Sequence, residues 1–81
     1  MSNWKKTLEK VMSGQADQNI DFEDACTLLR RFGYYLDRQS GSHRIFKKAG
    51  QPAINIQPRK GKAKHYQVAQ MREVLKNQQI Q

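Results

Sequence analysis

The spacing of apolar residues changes twice along the chain, and the changes separate helical from extended segments. Trp4, Leu8, Val11 and Met12 recur at helical spacing and Gly14 follows as a stop, which predicts a first helix over about 3–13. Residues 15–19 are polar and read as a connector. Asp21 then stands at an N-cap position, with Glu23 and Asp24 where the helix dipole favours acids. Phe22, Ala25, Cys26, Leu28, Leu29 and Phe32 form one broad apolar stripe that Gly33 closes, so a second helix is expected there. Beyond Gly33 the pattern becomes β-prone. Strands are predicted over about 34–38, 43–48 and 53–57, separated by turn residues at 40–42 and 49–52, with Pro58 ending the third. A basic loop over 59–64 leads into a last helix carrying Tyr66, Val68, Met71, Val74 and Leu75, to about residue 77.

The order α-α-β-β-β-α predicts an α+β sandwich, a three-stranded antiparallel meander with helices on one face. A chain of 81 residues suits one domain, here an N-terminal helical extension over about 1–19 and a core over about 21–78. Its single cysteine, Cys26, cannot close an internal disulfide, lies in the apolar stripe and reads as a buried structural thiol. That usage fits a reducing compartment, and the cytoplasm is the expected location. No segment approaches the roughly 20 apolar residues of a membrane span, and no membrane association is expected.

Charge adds a direction to this outline. Up to Asp37 the chain carries five basic and six acidic residues, whereas from Arg38 onward it carries ten basic residues and one acid, Glu73. The whole net charge of +8 therefore resides in the second half. Such an asymmetry suits a polyanion, because each neutralised phosphate releases condensed counterions, and it equally describes a solvated basic surface.

Within the basic half, His43 opens a strand just after Gly41-Ser42, an unusual position for a core histidine. Cations nearby in sequence, Arg44, Lys47 and Lys48, favour the neutral imidazole, which can accept a proton. On RNA the relevant proton is that of a 2′-hydroxyl attacking the adjacent phosphorus, while lysine or arginine donors and the backbone N–H groups near Gly41 and Ser42 offset the developing charge. Strand alternation puts His43, Ile45 and Lys47 on one face and Arg44, Phe46 and Lys48 on the other, without indicating which face meets the helices. Two-metal cleavage needs clustered carboxylates that this half lacks, Cys26, His43 and His65 lack zinc-ligand spacing, and no Walker loop is present. No metal or cofactor is implied. His65 reads as an exposed residue at the start of the last helix.

Leu28-Leu29-Arg30-Arg31-Phe32-Gly33, Gly41-Ser42-His43-Arg44-Ile45-Phe46, Ile54-Asn55-Ile56-Gln57-Pro58 and Gly61-Lys62-Ala63-Lys64 together closely resemble the HicA toxins of bacterial type II toxin-antitoxin systems. The likeness runs from about Phe22 to Leu75, and Ser13-Gly14-Gln15-Ala16-Asp17 with Asn19-Ile20 is similar to a subgroup with an added N-terminal helix. The resemblance implies a double-stranded-RNA-binding-domain-like α-β-β-β-α fold acting as an mRNA interferase. It implies catalysis by His43, support from the Gly41-Ser42 turn, and inhibition by a HicB-type antitoxin acidic at the contact surface. Many members carry a second histidine where this chain has Arg44. A noncatalytic RNA-binding module of the same fold is the main rival reading, with Lys60, Lys62 and Lys64 gripping phosphates before the last helix. A DNA-binding or protein-interaction adaptor resting on the Trp4, Leu8 and Val11 stripe is a third.

Overall fold

The structure, a computed structural model, describes residues 4–80. The first apolar stripe forms helix α1, Trp4–Ser13, whose Val11 is fully buried and whose Leu8 and Met12 pack on the core edge. The predicted start at Asn3 lies outside the described residues. Gly14, at φ +71°, turns the chain out of α1 in the left-handed region. A short 3-10 turn, Asp17–Asn19, then leads to Ile20, which is buried.

Helix α2, Phe22–Arg31, buries Phe22, Ala25, Cys26, Leu28 and Leu29, as its stripe requires. Its C-terminus closes as a Schellman motif, with Gly33 at φ +91° donating to the Arg30 carbonyl and Tyr34 donating to the Leu29 carbonyl. At its N-terminus Asp21 holds the N-cap position but makes no side-chain capping bond. The start of α2 is instead tied through backbone to a distant hairpin, because Phe22 N–H donates to the Gly61 carbonyl (3.0 Å) and Ala63 N–H to the Ile20 carbonyl (2.8 Å).

Strands β1, Tyr35–Ser40, β2, His43–Lys47, and β3, Ile54–Ile56, form the expected antiparallel meander in the order β1-β2-β3. Gly41 and Ser42 are the whole β1–β2 connection, since Ser40 pairs with His43. With φ +60° at Gly41, this is the glycine-first connection of a type II′ hairpin, whose twist matches the strands it joins. A bulge at Asp37 shifts the register between Leu36 and Arg38.

Two elements depart from expectation. The third strand stops at Ile56, and Pro58 opens a further strand instead of ending one. Residues 59–64 are likewise not a plain loop. Strand β4, Pro58–Arg59, pairs with β5, Lys62–Ala63, across Lys60 and Gly61, both at positive φ. Two-residue strands are too short to reveal a period in the sequence. Helix α3, His65–Leu75, follows, burying Gln67, Val68, Met71 and Leu75.

Phe46, Ile54 and Ile56 enter one core cluster with Leu28, Leu29, Phe32, Val68, Met71 and Leu75. The helices thus cover one face of the sheet, giving the α+β, double-stranded-RNA-binding-domain-like arrangement. None of the described helices is long and apolar enough to cross a membrane.

The helical extension is joined to this core by Arg72. Its guanidinium donates to both carboxylate oxygens of Asp17 (2.8 and 3.1 Å) and to the Val11 carbonyl (3.0 Å), reaching the end of α1 and the connector from α3. Arg72→Met should lower stability by about 1.5–3 kcal/mol, read by urea denaturation, because it removes charge-assisted bonds and leaves a half-buried carboxylate unpaired. A loss below about 0.5 kcal/mol would mean that α1 is held by apolar packing alone.

Burial pushes the Cys26 thiol up, and the nearby Arg44 guanidinium only partly opposes that shift. The folded protein should therefore resist thiol reagents at neutral pH and label fully once denatured. Labelling of the native protein at the rate of a free thiol would contradict the buried placement.

Candidate functional site

Alternation along β2 is resolved by Phe46, which is fully buried against the helices. Arg44 shares that inner face, whereas His43, Ile45 and Lys47 occupy the helix-free outer face. The side of the histidine, open from sequence, is thus decided by the apolar residue three places on.

On the outer face the His43 ring is half-buried and held. Its Nε2 lies 2.9 Å from Oδ1 of Asn55 on β3. Asn55 pairs directly with Ile45, making it the diagonal neighbour of His43. From β1, Arg38 pairs across the same Ile45 and is the other diagonal neighbour, exposed and on the same face. Sequence reasoning singles out neither Arg38 nor Asn55. The two-residue hairpin carries the signal for Arg38, because pairing Ser40 with His43 dictates that Arg38 meets Ile45. Gly41 and Ser42 are exposed beside the histidine, and a Cβ added at Gly41 would meet nothing within 4 Å. Its glycine answers to backbone conformation, not to crowding.

The other candidates are dispersed. Lys47 shares the outer face but is ion-paired with Asp37 (3.2 Å). Arg44 lies under the sheet, donating from Nη1 to Glu23 Oε1 and to Cys26 Sγ, both at 3.3 Å, with its guanidinium 4.9 Å from the Phe22 ring centre. These contacts with α2 keep it from acting beside His43. Lys48 also turns to the helical side, where its ammonium donates to the Phe32 carbonyl (2.7 Å) at the end of α2 and to Gln78 Oε1 (2.9 Å). A cation at a helix C-terminus is placed to offset the helix dipole.

Lys60, Lys62 and Lys64 come together elsewhere. With Arg59, His65 and Tyr66 they line an open cleft of about 460 Å³ where the β4–β5 hairpin meets the start of α3. His43 is not among its lining residues. Lys64 holds the N-cap position of α3 without a side-chain cap, so the positive end of the helix dipole faces a ring of cations. His65 is exposed there, as expected, and borders the cleft. Arg59 escapes sequence reasoning because a plain loop gives it no fixed neighbours.

Nothing among the curated proteins or the solved structures matches the chain. A family model does, that of the HicA toxin of bacterial toxin-antitoxin systems, over residues 22–80. The matched span begins with α2, takes in the sheet, the His43 turn and the basic hairpin, and leaves α1 outside. Covering well over half of the chain, including the His43 turn, that match shows that this protein belongs to the HicA toxin family.

Proposed function

We propose that this toxin is an endoribonuclease that cuts mRNA with His43 as its acid/base group and without a catalytic metal, arresting translation and growth in the cytoplasm. The observation that carries the reading is the position of His43: on the helix-free face of the sheet, anchored by Asn55 and diagonal to exposed Arg38. A strand approaching that face meets a proton acceptor and a cation within one small patch. The imidazole takes the 2′-hydroxyl proton, O2′ attacks the adjacent phosphorus, and the P–O5′ bond breaks. The products are a 2′,3′-cyclic phosphate and a 5′-hydroxyl, the leaving O5′ taking its proton from water and the imidazolium returning its own to solvent. Charge on the pentacoordinate phosphorus is offset by Arg38, aided by backbone N–H groups at the Gly41-Ser42 turn.

Arg59, Lys60, Lys62 and Lys64 serve as the phosphate grip, holding flanking RNA at the cleft beside α3. Arg44 and Lys48 are assigned a different role, since their contacts with α2 and its C-terminus make them part of the scaffold. A HicB-type antitoxin with an acidic contact surface is the proposed inhibitor, because covering the basic outer face would exclude RNA. The cleft would also suit an RNA-binding module without catalysis, which is the second reading.

Purified His43→Ala protein should cut an mRNA transcript about 10²–10⁴-fold more slowly than the parent, with chelator present throughout, while binding it equally well. Undiminished cleavage would remove His43 from the chemistry, and intact parent protein that binds but never cuts would favour the second reading. Lys62→Glu with Lys64→Glu should weaken RNA binding and flatten its dependence on salt, by about 0.7 in the logarithmic slope for each phosphate that is no longer neutralised. An unchanged slope would place the RNA elsewhere.

A further inference from the structure

The bond between His43 and Asn55 has a chemical direction. Oδ1 of an amide accepts hydrogen bonds and cannot donate them, so the Nε2 facing it at 2.9 Å must carry the hydrogen. In a neutral imidazole the second nitrogen, Nδ1, then holds the lone pair. We propose that Asn55 is a positioning residue that sets this tautomer and ring orientation, making Nδ1 of His43 the basic nitrogen presented to RNA. This rests on the nuclease reading of the same site.

An amide suits the role better than a carboxylate. A carboxylate at the same distance would also accept from Nε2 but would favour the imidazolium, which has no lone pair to offer. The amide carbonyl orients the ring without adding a charge beside it. The charged residues of β1 and β2 on this face are Arg38 and the Lys47–Asp37 pair, and β3, which carries Asn55, has none. The core-facing neighbours of Asn55, Ile54 and Ile56, are buried and fix the parity that sends its side chain to the outer face. Ile45, between Asn55 and Arg38 across the ladder, keeps the diagonal spacing that lets a short side chain reach the ring.

Nitrogen-15 NMR of the intact, histidine-labelled protein reads the tautomer directly, at a pH where the ring is neutral. The expected spectrum has His43 Nε2 protonated and Nδ1 unprotonated, with Asn55→Leu returning the ring to a mixture of both forms. Single-turnover cleavage of an mRNA transcript should fall at least tenfold in Asn55→Leu, with RNA affinity unchanged. Asn55→Asp keeps the accepting oxygen and should restore both the Nε2–H form and cleavage at alkaline pH, where an imidazole beside a carboxylate is neutral. A parent spectrum with Nδ1 protonated would overturn the assignment, since Asn55 would then be donating. So would an Asn55→Asp protein that is folded by circular dichroism yet, at alkaline pH, as slow as Asn55→Leu. Failure of the nuclease reading is separable from either result, because it appears as a parent protein that binds RNA without cutting it, or as unchanged cleavage by His43→Ala, whatever the tautomer.

Discussion

Burial of Phe46 in the cluster with Leu28, Leu29, Ile54, Ile56 and Met71 is the contact on which the geometry of the sheet depends. A strand alternates sides at every residue, so one large side chain driven into the core assigns a face to all the others. Phe46 sends Arg44 inward and His43 outward. Ile54 and Ile56 do the same for β3 and send Asn55 to the face of the histidine. The hairpin at Gly41-Ser42 transmits this parity to β1 and brings Arg38 into the patch. A slip of one residue in β2 would exchange a buried phenylalanine for a buried lysine or isoleucine and turn His43 under the helices. The hydrophobic gain that stabilises the core is therefore also what holds the candidate site in register.

The positive charge of the second half is divided between two roles. Arg44, Lys48 and Arg72 direct their charge to protein partners: a glutamate and a thiol sulfur, the carbonyl at the end of α2, and Asp17 with the Val11 carbonyl. Arg38, Arg59, Lys60 and Lys62 are exposed. The distinction matters because a cation already satisfied by protein oxygens must give up those bonds before it can meet phosphate. Net charge alone counts both kinds equally. It explains attraction to a polyanion at a distance, whereas the exposed subset describes where contact can occur.

Helix α1 stands outside the matched family span yet is not loosely appended. Val11 is fully buried, Arg72 ties the connector to α3, and the Arg31 guanidinium lies 4.5 Å from the centre of the Trp4 ring. The extension covers the helical layer and leaves the outer face of the sheet open. Its contacts bear on stability, and at Gln18 its connector also borders the basic cleft.

Much of the fold is legible along the chain because periodicity is a local property. The stripe of α2, its glycine stop, the turn at Gly41-Ser42 and the expectation of a three-stranded meander all follow from short-range spacing, and so does the singling out of His43. Other features depend on residues far apart in sequence. Asp21 is an N-cap by position, yet backbone from the β4–β5 hairpin completes the start of its helix. Asn55 gives no signal beside Ile54 and Ile56 until β3 pairs with β2 and places it 2.9 Å from the histidine. Arg44 and Lys48 sit beside His43 in the chain but pass to the opposite side of the sheet in space. The sequence by itself determined the three helices and the three strands of the meander, their order, the basic half and the histidine. Only the tertiary structure decided which face that histidine occupies and which cations accompany it, because strand parity has no absolute sense until one face is buried.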